Sequence, residues 1–87
     1  MRVFVKFVVE TYGDLTIPMD IDSTDKVQRI MEKIEEKEGI PIYHQRIIFD
    51  RKQLFREETL QYYNIQEGDM MCLILRQGRL PAFYRFK

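Results

Sequence analysis

The chain has one cysteine and one histidine, Cys72 and His44, and these could supply a nucleophile and its base, but no sequence signature joins them. One Cys and one His also fall short of a four-ligand zinc site unless unpatterned carboxylates complete it. The acidic group Glu35, Glu36 and Glu38 reads as the solvated face of a helix. A Gly-rich phosphate loop is absent. Near the C-terminus Arg79, Phe83, Tyr84, Arg85 and Phe86 interleave basic and aromatic side chains, a composition able to stack on single-stranded nucleic acid or to dock on a protein groove. The nucleic-acid signal is weak, and any RNA binding would have to fall steeply with salt. Neither catalysis nor a cofactor is expected.

The elements that carry these residues must fit in 87 residues, enough for one domain with one core. With 45% hydrophobic, 13% aromatic and 32% charged residues, the chain has the apolar surface to fold. The longest apolar run, Met70 to Leu75, is six residues, against roughly 20 for a spanning helix, so no membrane role is expected. Arg2, Lys6 and Glu10 interrupt the first residues and no secretory signal is read there. A lone thiol fits a reducing compartment, so the expected location is cytoplasm or nucleus, and the expected state a monomer.

The 14 cations and 14 carboxylates cancel, which removes bulk attraction to nucleic acid or anionic membrane. Their distribution is uneven. Arg76, Arg79, Arg85 and Lys87 give the last twelve residues four basic charges and no acids, leaving residues 1–75 at −4. Such a tail is a soluble terminus or a partner-binding segment.

Residues 1–9 alternate as a strand, with Val3, Val5, Phe7 and Val9 on one face and Arg2, Phe4, Lys6 and Val8 on the other. Gly13 suits a turn, and Leu15, Ile17, Met19 and Ile21 then mark a second strand, placed at a sheet edge by Pro18. Asp25 and Gln28 resemble a capping box. Val27, Ile30, Met31 and Ile34 fall on one helical face, so a helix is predicted over 25–38, closed by Gly39 in the left-handed conformation and by Pro41. Gln45–Phe49 and Met70–Arg76 read as further strands, Lys52–Leu54 as a minor one, and Thr59–Ile65 as a turn-rich crossing. The order strand, strand, helix, strand, short strand, strand predicts an α+β β-grasp fold, a mixed sheet wrapped over one helix, with a parallel pairing made through the helical crossover.

The residues that carry a family likeness are Val3-Phe4-Val5-Lys6, Lys37-Glu38-Gly39-Ile40-Pro41, Gln45-Arg46, Ile48-Phe49, Lys52-Gln53-Leu54, Thr59-Leu60, Tyr63-Asn64-Ile65-Gln66, Leu73 and Leu75-Arg76. Together they resemble ubiquitin and, almost equally, the Nedd-type ubiquitin-like modifiers. Thr24-Asp25-Lys26-Val27 with Arg29-Ile30 is nearer the Nedd type, whereas Arg76 lies where ubiquitin has arginine and the Nedd type alanine. The resemblance covers residues 1–76, with about four extra residues in the first hairpin, and leaves 77–87 as a flexible basic and aromatic tail. It implies a ubiquitin-like domain that works by recognition rather than catalysis.

Members attached to targets end in a diglycine, and here Arg79 and Leu80 fill those positions. Trimming after Gly78 would leave a tail shorter than the family's. The expectation is therefore a non-covalent interaction module, with a processed covalent modifier as the alternative, and a fold-only relative whose patch is covered by Phe83, Tyr84 and Phe86 as a second.

A physical signal points to the same surface without the family. Met70 to Leu75 and Ile47-Ile48-Phe49 are apolar on both faces, where a half-solvated strand should alternate. If Met71, Leu73, Leu75, Ile47 and Phe49 face the helix, then Cys72, Ile74 and Ile48 point the other way, rimmed by Arg46, Lys52 and Arg76. By resemblance, Ile48 and Ile74 match two members of the apolar patch through which ubiquitin is read by short helices and small helical domains. The third sits on the longer first hairpin, at Val8 by parity or at Tyr12. The partners implied are ubiquitin-binding helices of ubiquitin-pathway or proteasome proteins, bound with micromolar affinity. Lys37 and Lys52 are candidate modification sites. Asp50-Arg51 replaces a family turn that usually contains glycine, with Asp50 suited to a left-handed conformation. Met31 stands where the family often has a partly buried lysine, and reads as core.

Overall fold

The computed structural model describes residues 1–9 and 13–75, with the side chains of 8, 9, 13 and 14 outside the description. The strands are β1 (Arg2–Val9), β2 (Gly13–Asp20), β3 (Gln45–Phe49), β4 (Lys52–Gln53) and β5 (Met70–Leu75), with one helix, α1 (Val27–Glu38). They form a five-stranded mixed sheet in the order β2-β1-β5-β3-β4, in which β1 and β5 run parallel and every other pair antiparallel. This is the β-grasp arrangement, with Pro18 on the edge strand β2.

Alternation decides the faces. Val3, Val5 and Phe7 from β1, Ile17 and Met19 from β2, Ile47 from β3 and Met71 and Leu73 from β5 are buried together with Val27, Ile30, Met31 and Ile34 of α1. Phe49 and Leu75 pack partly buried against that core. Met31 is therefore a core residue, 6% exposed.

The start of α1 departs from the capping-box reading. The helix begins at Val27 with Lys26 as its cap residue and no side-chain cap bond. Asp25 Oδ2 instead accepts the N–H of Asp22 at 3.1 Å. The first helical N–H groups need acceptors, and the chain just before the Thr59–Ile65 crossing supplies them: Val27 donates to the Glu58 carbonyl at 2.8 Å and Gln28 to that of Arg56 at 3.0 Å. In return Leu60 donates to the Asp25 carbonyl and Gln61 to that of Ser23. A backbone acceptor from thirty residues downstream leaves no local sequence signature. At the other end Gly39 takes φ 77 and donates to the Glu35 carbonyl, as its position predicts.

The β3–β4 turn has the two residues that the sequence reading leaves for it. Phe49 pairs with Lys52, so Asp50 and Arg51 form a two-residue loop, with φ of 53 and 66 respectively. Two positive φ values are what a type I′ hairpin requires, and a left-handed non-glycine residue costs about 1–2 kcal/mol. Asp offsets part of this through its short polar side chain; Arg51 does not. Arg51→Gly is expected to raise stability by about 0.5–1 kcal/mol, allowing for the greater entropy of glycine in the unfolded chain. The check is a higher urea midpoint at unchanged slope.

Candidate functional site

Strand β5 lies between β1 and β3, so its outer side chains are flanked on both sides. Ile48 stands directly opposite Cys72, and Arg46 opposite Ile74. On the other flank Lys6 is in register with Cys72 and Phe4 with Met70. The intervening residues Ile47, Met71 and Leu73 are buried toward the helix, so parity sends this set to the opposite, outer face. Ile48 and Cys72 are partly buried by their neighbours, while Ile74 keeps 45% of its surface exposed.

The rim is polar and positive. Arg46 donates from Nε and Nη2 to the Gln53 side-chain oxygen at 3.2 and 3.1 Å, so its charge is oriented by a neutral amide rather than cancelled by a carboxylate. Lys52 is exposed on β4, paired with Phe49. Val8 on β1 pairs with Asp14, but its side chain is outside the described residues, as are Tyr12, Arg76 and the tail residues Phe83, Tyr84 and Phe86. Lys37 is not brought to this face: it lines a groove between α1 and β2 with Met19 and Lys33.

Four residues on or beside this face were not singled out for it by the sequence. Phe4 and Met70 share the parity of Lys6 and Cys72, a signal present in both strands but usable only once β1 is known to lie beside β5. Phe55 and Tyr62 lie in irregular segments without periodicity. They are 67% and 66% exposed and line one groove of about 960 Å³ together with Met70, Phe49 and Lys52. Tyr63 fixes its floor, its hydroxyl accepting the N–H of Phe55 at 2.8 Å while Tyr62 stands edge-on to its ring at 5.0 Å. Tyr62 is itself set by its N–H bond to Thr59 Oγ1 at 3.0 Å. Thr59→Ala is expected to cost about 1 kcal/mol, read as a lower thermal midpoint, by leaving that turn donor to water.

The remaining chemistry is sparse. The cross-strand neighbours of Cys72 are Lys6 and Ile48. Among the described residues no group of three or more His, Cys, Asp or Glu is placed to hold a metal ion, and no helix is long and apolar enough to cross a membrane. Away from the patch, the Arg56 guanidinium hydrogen-bonded to Glu57 holds that carboxyl below its ordinary range. The Arg2 guanidinium does the same for Asp20 at the far edge of the sheet.

The sequence model of the Ubiquitin family matches residues 3–78 of the chain. The chain belongs to the ubiquitin family. Within it, the NEDD8-like protein RUB3 of Arabidopsis thaliana is 45% identical over 67 residues, covering 77% of this chain and 86% of that protein. Ubiquitin-like protein NEDD8 of Dictyostelium discoideum is 46% identical over 67 residues, covering 77% of this chain and 87% of that protein. The E3 ubiquitin-protein ligase UPL5 of Arabidopsis thaliana is 34% identical over 76 residues, which are 87% of this chain and only 8% of the ligase. Both a free-standing small protein and a segment of a large one therefore resemble this ubiquitin-family chain.

Proposed function

We propose that this ubiquitin-family chain is a non-covalent recognition module, read by a helix of a ubiquitin-pathway protein through the outer face of β3 and β5. The observation that carries the reading is the juxtaposition of Ile48 and Cys72 across the two strands, with exposed Ile74 next along β5 and Arg46 opposite it. Ile48, Cys72 and Ile74 serve as apolar anchors, extended by Val8, and Arg46, Lys52 and Arg76 as the cationic rim that attracts and orients an acidic helix. Fully burying an isoleucine is worth about 1.5–3 kcal/mol, and two or three such anchors, less the cost of association, place the affinity in the micromolar range.

Covalent attachment is the second reading, and the RUB3 and NEDD8 relatives favour it because the likeness spans 86% and 87% of those whole proteins. Against it, Arg79 and Leu80 occupy the positions of the family's terminal diglycine. The two part on a denaturing gel of the epitope-tagged chain expressed in cells. A module runs as one species at its own mass. A ladder of heavier adducts that disappears on deleting residues 77–87 would give the chain to the modifier reading instead.

A further inference from the structure

Among the described residues Gln45 Oε1 is the one buried side-chain polar atom without a hydrogen-bond partner. The residue is 2% exposed, and its two amide hydrogens are spent on the carbonyls of Met31 and Ile40, each at 3.0 Å. Those two bonds fix which end of the amide is oxygen. A buried acceptor left in this state keeps its desolvation cost until a donor reaches it.

Gln45 also lines a groove of about 450 Å³, walled by Met31 of α1, by Ile42 and Tyr43 of the short 3-10 turn before β3, and by Leu54 and Phe55 after β4. Met31 and Leu54 are buried and Ile42 packs against the core, so the inner wall is apolar. Tyr43 and Phe55 are 68% and 67% exposed, so two aromatic side chains with most of their surface in solvent stand on the same groove. The charged residues of the lining, Arg56 and Glu57, pair with each other at 3.2 Å.

Hydrogen-bonding capacity selects what fits. One free acceptor, whose own amide hydrogens are already spent, is matched by a group that donates once and accepts nothing. The side chain with that property is the indole of tryptophan. Hydroxyls, amides and neutral imidazole bring acceptors of their own, while an ammonium or guanidinium brings several donors and a charge whose desolvation one neutral oxygen does not offset. The indole also supplies a flat apolar body for the walls of the groove. The chain contains no tryptophan, so the indole belongs to another molecule. We propose that the groove is a docking site for a tryptophan side chain of a partner protein, its indole N–H donating to Gln45 Oε1 and its ring lying against Tyr43 and Phe55. Oε1 is covered in the free chain, and the indole enters as the unbranched Met31 side chain changes rotamer. None of Ile48, Cys72 and Ile74 lines the groove, so the site stands apart from the outer sheet face.

The test is an NMR titration of the full 87-residue chain with N-acetyl-tryptophanamide and with its benzothiophene analogue, in which sulfur replaces the indole N–H and the bicyclic shape is kept. Saturable shifts are expected at the Gln45 side-chain amide and at the backbone amides of Tyr43 and Phe55, with a dissociation constant of about 1 mM for the indole and about tenfold weaker binding of the analogue. Phe55→Ser, at an exposed position outside the core, is expected to weaken the indole about fivefold, and Ile48→Asp to leave it unchanged. Equal affinities of the two probes would show that Oε1 is not the acceptor and overturn the proposal. Shifts centred away from Gln45, or none at about 20 mM probe, would overturn it as well. Loss of indole binding in Ile48→Asp would move the contact to the sheet face and contradict a separate site.

Discussion

Ile48→Asp is expected to leave the domain folded and to reduce binding of a ubiquitin-binding helix by 100-fold or more. Ile48 lies on the outer face of β3 and is partly buried by strand neighbours, whereas the adjacent Ile47, fully buried, anchors the strand to the core. The fold therefore loses only part of one side chain's contacts and some strand propensity, about 1 kcal/mol, and the thermal midpoint falls by several degrees. In the proposed complex the same position would be covered by an apolar partner, where a carboxylate must be desolvated without a matching donor. A loss of 100-fold is about 2.7 kcal/mol, well within that cost. Circular dichroism and calorimetric titration measure the two halves separately. Unfolding of the variant would show that Ile48 is structural, and unchanged affinity would remove it from the contact surface.

The largest stability effect away from the hydrophobic core is expected at Gln45. This side chain is 2% exposed and its Nε2 donates to the carbonyls of Met31 and Ile40, each at 3.0 Å, tying the middle of α1 to the loop that follows it. The opposite oxygen, Oε1, has no partner among the described residues, and the methionine at position 31 offers it none. Gln45→Leu keeps the volume, removes the unpaired acceptor and leaves the two carbonyls with a lost donor. A buried group left unsatisfied costs about 1–3 kcal/mol, so the net destabilisation is expected at about 2–3 kcal/mol. Gln45→Glu separates hydrogen bonding from shape. Burial disfavours the ionised carboxylate and raises its pKa in the folded state above the unfolded value. The raised pKa makes the variant's stability relative to wild type highest at acid pH and progressively lower as pH rises through the folded pKa. Urea midpoints of both variants between pH 4 and pH 7 measure this, and a Gln45→Glu penalty independent of pH would contradict the buried-amide account.

Much of the sheet was legible because its two-residue alternation is local. Val3, Val5 and Phe7, and Met71 and Leu73, declare the buried face without knowledge of neighbours, and the excess apolar residues Ile48, Cys72 and Ile74 declare that the other face is also unusual. The helix was legible from Val27, Ile30, Met31 and Ile34, but its start was not. The Val27 and Gln28 amides are satisfied by carbonyls of Glu58 and Arg56, a long-range pairing that no capping motif encodes. The turn at Asp50-Arg51 was legible as a turn, while the second left-handed residue was hidden because arginine carries no preference for it. The site was half legible for a similar reason. Register placed Ile48 opposite Cys72 once two strands were recognised, but Phe55 and Tyr62 come to line a groove with Met70 and Lys52 from irregular chain and depend on the Tyr63 hydroxyl and Thr59 for their positions.

The most direct measurement is an NMR titration of the isotope-labelled 87-residue chain with a small ubiquitin-binding helical domain. Saturable shifts centred on the amides of Ile48, Cys72 and Ile74, with a dissociation constant in the micromolar range, are the predicted result. Saturable shifts centred elsewhere, or none at millimolar concentrations of the domain, would contradict recognition through this face.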